Sequence, residues 1–133
     1  MKMNDNGTVE QMKGMCERIK DILIALYEGK MYDTENGELV ELDCLPGQYD
    51  DERYLSLYHY IEDNLGIKIK TDLKGDILYS SEICFAWGGP NIYLDTGRES
   101  IDGYWGCDHV SVPLPDKLCE IIDGYIDELR EYA

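Results

Sequence analysis

Basic residues are scarce in this chain: twelve Lys and Arg stand against twenty-eight Asp and Glu, for a formal net charge of −16 over 133 residues. Such a balance excludes attraction to nucleic-acid phosphates or anionic membrane surfaces and turns the protein toward cationic partners. No apolar run approaches the ~20 residues of a membrane-spanning helix, and the first residues lack the basic start and apolar stretch of a secretory signal. The chain is therefore expected to be soluble and to stay in the cytoplasm. Five cysteines, Cys16, Cys44, Cys84, Cys107 and Cys119, are odd in number with no close pair. That excludes an ordinary secreted disulfide framework and is expected of reduced thiols, most of them filling a core. With only two His, a histidine-built metal centre has little to draw on.

What is present is a globular composition, 44% hydrophobic and 30% charged, in a length that suits one domain over residues 1–133. Tyrosine is over-used, eleven against one Phe. Many of these rings must lie half-buried with the hydroxyl in water.

Thr8 to Gln11 has capping-box spacing, and Met12, Met15, Ile19, Ile22, Leu23 and Leu26 form an apolar stripe behind it. This predicts a helix of about five turns stopped at Gly29. Residues 30–48 are ambiguous. Asn36-Gly37 signals a tight turn, and residues 38–42 fit a short strand or a helical turn, with a hairpin preferred. Asp50 or Asp51 is expected to cap a second helix, with Tyr54, Leu57, Tyr58, Ile61 and Leu65 on one face and Glu52, His59 and Asp63 on the other, ending at Gly66.

The period then becomes alternating. Residues 67–70, 77–87, 91–96 and 101–112 read as four strands, joined by short turns at Lys74-Gly75-Asp76, Gly88-Gly89-Pro90 and Gly97-Arg98-Glu99, and closed by Pro113 and Pro115. Short connections favour an antiparallel meander. A last helix over 116–132 sets Leu118, Ile121, Ile122, Tyr125, Leu129 and Tyr132 against Asp116, Glu120, Asp123, Asp127 and Glu131. The expected fold is α+β: an antiparallel sheet of about four strands packed with three helices, one of them C-terminal.

Residue types that carry chemistry are present without an obvious partnership. Asp95-Thr96-Gly97 matches the short signature of aspartic proteases, but no apolar-apolar-Gly strand follows to support such a loop, and hairpin chemistry explains it better. Gly88-Gly89-Pro90-Asn91 leads into a strand rather than the helix a phosphate loop needs. Cys107-Asp108-His109 alternates across a strand and lacks a second cluster, so no metal or cofactor is expected. Residues 33–43 imitate a calcium loop, with Gly37 one place early and Cys44 where the final Glu belongs. A small hydrolase using Cys107 or Cys119 with His109, or centred on Asp95, stays open as an alternative to a pure binding function. So does an acidic housekeeping interaction module.

Charge and aromatics are the stronger signal. The acids at 116, 120, 123, 127 and 131 recur every three or four residues, about 5–6 Å apart, near the spacing of nucleic-acid phosphates. Asp50, Asp51 and Glu52 make a second acidic cluster. Tyr104 and Trp105, bracketed by Gly103 and Gly106, are candidate interface anchors.

The string Gly88-Gly-Pro-Asn-Ile-Tyr-Leu-Asp-Thr96, the Gly103-Tyr-Trp-Gly106 segment and the acidic C-terminal helix resemble small acidic phage and mobile-element proteins that inhibit bacterial defence, of anti-CRISPR or antirestriction type. The resemblance implies a non-enzymatic inhibitor in a bacterial host cytoplasm. Its partner would be a basic protein, a restriction nuclease or CRISPR effector subunit, whose DNA access it blocks by phosphate mimicry.

Overall fold

A computed structural model describes residues 5–45, 52–63, 66–71, 77–87 and 89–131. Helix α1 (Asp5–Tyr27) begins three residues before Thr8, so the Thr8/Gln11 pair sits inside the helix instead of opening it. Gly7 lowers helix propensity there by about 1 kcal/mol, and the long packed helix behind it offsets that cost. The buried stripe runs through Met12, Cys16, Ile22, Leu23, Ala25 and Leu26. Met15, expected in the stripe, is 40% exposed. Cys16 takes an inward position instead, where its Sγ would lie 3.3 Å from a Cβ on Gly103. Gly29 ends the helix with φ 104°, Lys30 N donating to Ala25 O at 3.0 Å and Gly29 N to Leu26 O at 3.1 Å. This pair of bonds is the Schellman stop expected of glycine there.

The segment left ambiguous is a hairpin. Strand β1 (Met31–Asp33) pairs antiparallel with β2 (Glu38–Val40), and β3 (Tyr54–Leu55) lies on the other side of β1. Asp33 organises all three strands. Its carboxylate accepts the Glu35 and Asn36 amides in the turn and takes a bidentate pair from Arg53 at 3.0 and 3.1 Å. The Asp33 carboxyl is held below the usual range, first by the hydrogen bond from Arg53.

That anchor corrects the second helix. Tyr54 and Leu55 are strand, and α2 (Leu57–Glu62) starts only after Ser56, whose Oγ accepts the His59 amide at 3.4 Å. Docking Arg53 on Asp33 extends the chain where the wheel placed a first turn. Leu57 and Ile61 still share the buried face. Asp50, Asp51, Leu65, the 74–76 turn, Gly88 and Tyr132 lie outside the described residues.

The main sheet is the expected antiparallel meander, β4 (Gly66–Thr71), β5 (Ile77–Ala86), β6 (Asn91–Asp95), β7 (Ser100–Trp105) and β8 (Asp108–Pro113), hydrogen-bonded in sequence order. The run 101–112 folds back at Gly106-Cys107, so four apolar runs give five strands. Gly106 has φ 58°, which suits the first loop residue of a tight two-residue hairpin.

Register sorts the side chains. Ile83, Leu94, Ile101 and Val112 are paired across four strands, and so share one face with Ile92 and Gly103. Helix α1 lies on that face, close enough that a Cβ on Gly103 would meet Val110 Cγ2 at 3.1 Å and Cys16 Sγ at 3.3 Å. The last helix, α3 (Asp116–Glu131), packs Leu118, Cys119, Ile122 and Ile126 into the same core. Glu82, Tyr93, Asp95, Ser100, Asp102, Tyr104 and His109 occupy the opposite face.

Candidate functional site: the acidic arc of the last helix and the outer face of the sheet

Counting Cys119 and Ile126 as apolar rotates the packed side of α3 toward them, and Asp123 then falls at its border rather than opposite it. The five-acid ridge is therefore interrupted. Asp123 turns toward the sheet, where its Oδ1 accepts the Ser81 hydroxyl at 2.8 Å and the Thr96 hydroxyl at 2.7 Å. Ser81 and Thr96 are 1% and 4% exposed, and the Ser81 amide donates to Thr96 Oγ1 at 2.7 Å. Asp123 thus ties α3 to β5 and to the end of β6. Asp116 and Glu120 are exposed, joined by Glu128, while Asp127 is half-buried. Glu131 lies on the helix, but its side chain and that of Leu129 are outside the described residues.

Asp95-Thr96-Gly97 is a turn. Asp95 Oδ1 accepts the Gly97 amide at 2.9 Å and the Arg98 amide at 3.1 Å, which closes the tight connection to β7. Its threonine serves the Asp123 knot. The thiol at Cys119 lies in a field of Glu99, Asp123, Asp116 and Asp95, and burial followed by those charges pushes it up to about 12. Burial, with Asp102 and Glu17, pushes Cys16 up to about 11. Neither is a ready nucleophile at neutral pH.

On the outer face, Tyr93, Tyr104 and His109 form a row across three strands. The Tyr93 and Tyr104 ring centroids are 6.2 Å apart, and Tyr104 stacks on His109 at 4.6 Å with planes 8° apart. Beneath them Asp102 is 2% exposed and accepts the Ser100 hydroxyl at 3.1 Å. His109 Nε2 lies 3.4 Å from Asp102 Oδ1, and Arg98 Nη1 3.8 Å from Oδ2. A buried carboxylate beside an exposed imidazole is a pairing hydrolytic triads also use, but there the acid holds Nδ1 and Nε2 is the base, whereas here Nε2 faces the acid and only Nδ1 is left to take a proton. Cys107 is exposed in the adjoining hairpin turn and makes no hydrogen bond to His109 among the described residues.

Trp105 and Tyr104 are each 37% exposed, and Trp87 is 70% exposed. Sequence reasoning missed Trp87, placed inside an expected strand, and it missed Asp102; it named Asp123, but as an outward ridge acid rather than as the acceptor for Ser81 and Thr96. Asp102 shares strand parity with Tyr104, a signal that was legible. Counting Cys119 as apolar places Asp123 at the border of the packed side, but the hydroxyls of Ser81 and Thr96 that turn it inward are 42 and 27 residues away in sequence.

Glu52 is exposed at the edge of a depression it lines with Leu55, His59, Glu62 and Asp63. Glu62 accepts the Tyr125 hydroxyl, and Tyr125 stacks on Tyr58 at 4.2 Å. Among the described residues no group of three or more His, Cys, Asp or Glu is arranged to hold a metal ion, and no helix is long and apolar enough to cross a membrane. No protein-family model matches the chain, and the searches of curated proteins and of solved structures return no match.

Proposed function

We propose that this chain is a non-enzymatic binding protein for a basic partner, a nucleic-acid-binding effector such as a CRISPR or restriction nuclease, whose DNA access it blocks. The observation that carries the reading is the exposed acidic arc of α3, where Asp116 and Glu120 stand one turn apart on the side away from the core, with Glu128 and Asp127 further along. One helical turn separates such carboxylates by about 6 Å along the axis, close to the distance between neighbouring phosphates. Like charges at this spacing oppose helix formation by a few tenths of a kcal/mol per pair, a cost that a contact surface for cations would justify.

The remaining chemistry-bearing groups support binding over catalysis. Asp95 holds a turn, Asp123 holds hydroxyls, and two thiols are buried. The Asp102 and His109 pair favours a hydrolase as the second reading, with His109 as base. Replacing His109 by Gln would abolish any hydrolysis on that reading and leave effector binding intact on the first.

The test is displacement of fluorescent DNA from a purified basic nuclease at low and at raised salt. Mimicry relies on screened attraction, so inhibition should weaken as salt rises. It should fall on the order of tenfold or more when Asp116→Asn, Glu120→Gln and Glu128→Gln are combined. Equal inhibition by the neutralised chain, or inhibition indifferent to salt, refutes the acidic-arc reading.

A further inference from the structure

β8 is the last strand of the main sheet, so one of its edges meets β7 and the other meets no strand among the described residues. Register fixes which backbone groups that outer edge presents. Leu114 N donates to Glu99 O at 2.8 Å, continuing the ladder in which Ile101 pairs with Val112 and Gly103 with Val110, so the even-numbered residues turn their amides and carbonyls to β7. His109, Ser111 and Pro113 point theirs away from the sheet. All three are exposed, and Pro113 lacks only a donor.

The two edges of the sheet differ in sequence. β4 carries Lys68 and Lys70, the residue type that natural sheets place on an edge to refuse a further strand, whereas β8 carries no Lys or Arg. What β8 fits is itself. Run antiparallel to an identical strand about a two-fold axis at Ser111, it sets Ser111 across from Ser111, His109 across from Pro113 and half-buried Val110 across from Val112. The valine pairs fall on the face that α1 covers, and no like charges oppose each other. Moving the axis to Val110 would instead set Asp108 across from Val112.

Charge allows the same approach. Lys13, Glu17, Lys20 and Asp21 of α1 share a groove with Ser111 and Pro113. Two cations against two anions make this a neutral flank on a chain of net charge −16, so an identical flank meets it with ions of both signs to pair.

We infer that β8 is the interface of a two-fold homodimer, in which two five-stranded sheets join into one continuous sheet. Two backbone hydrogen bonds join the Ser111 residues, and each His109 amide donates to the opposing Pro113 carbonyl. This inference does not depend on the acidic arc or on its partner. Because each copy carries −16, screening should strengthen the dimer as salt rises, the opposite of the response expected for capture of a basic protein.

Sedimentation equilibrium of the full chain, under reducing conditions that exclude a Cys107 disulfide, should show a concentration-dependent species of twice 15.3 kDa. Hydrogen exchange should slow at the His109 and Ser111 amides as protein concentration rises. Ser111→Pro deletes only an amide that faces away from β7, so the monomer keeps its ladder while the bonds at the axis are lost. Ser111→Lys needs no backbone change and sets two ammonium groups side by side. Each should raise the dimer dissociation constant on the order of tenfold or more, with the circular dichroism of the monomer unchanged. A chain that stays monomeric at every salt and protein concentration overturns the inference, and so does a dimer indifferent to both substitutions. If the His109 and Ser111 amides are slowed only by an added nuclease, the edge receives a strand of that partner and the homodimer is refuted.

Discussion

Replacing Asp123 should cost stability while leaving the exposed charge pattern nearly intact, the reverse of what replacing Asp116 or Glu120 should do. Asp123 Oδ1 accepts two hydroxyl hydrogen bonds, at 2.8 and 2.7 Å, from donors that are themselves buried. A hydrogen bond to a charged acceptor contributes about 1.5–3 kcal/mol, and a half-buried carboxylate realises roughly half of that. In Asp123→Ala the hydroxyls keep a partial alternative, since Ser81 Oγ and Thr96 Oγ1 are 3.3 Å apart and Thr96 also reaches Ser81 O at 3.3 Å. The expected loss is about 2 kcal/mol, with Asp123→Asn near half that because an amide oxygen still accepts. For a domain of this size that is about 6–10 °C in Tm, or about 1 M in the urea midpoint. Urea titration followed by circular dichroism measures it beside Asp116→Asn, which should change stability by no more than about 0.5 kcal/mol. If Asp123→Ala and Asp116→Asn have the same small effect, Asp123 does not tie α3 to the sheet.

Three further outcomes follow from the same geometry. The Asp33 carboxyl is lowered when folded, chiefly by Arg53, so the unfolded chain binds its proton first as pH falls. Its contribution is complete above the ordinary aspartate range of about pH 4 and is lost below it, so the acid-side slope of the urea midpoint should flatten in Asp33→Asn. A thiol reagent should modify Cys107 fastest among the four cysteines described and leave Cys16 and Cys119 untouched until unfolding, with Cys107→Ser removing the fast phase. Gly103→Val should destabilise by about 1–3 kcal/mol, because even its Cβ would sit 3.1 Å from Val110 Cγ2 and 3.3 Å from Cys16 Sγ; a smaller loss, read from thermal melts, means that α1 can withdraw from the sheet.

The fold was largely legible because its signals are local. Alternation over 77–112 specified strands, Gly-rich connections specified antiparallel neighbours, and Gly29 specified where α1 stops. The failures share one cause. Tyr54 and Leu55 fit a helical wheel, yet they form strand because Arg53 reaches back twenty residues to Asp33. The α3 wheel set Asp123 opposite the core, yet Ser81, forty-two residues upstream, provides the hydroxyl that draws it in.

By itself the sequence determined the sign of the charge, the α+β meander, the helix over its last segment and the identity of Tyr104 and Trp105 as candidate anchors, since composition and short periods decide these. Only the tertiary structure decided which acids remain outward and which rings stack across the outer face of the sheet. Pairing register and a few long-range hydrogen bonds set those outcomes, and neither is written in local spacing. The acidic ridge that the wheel drew as five residues is, in the folded chain, an exposed arc beside one carboxylate given over to holding the helix in place.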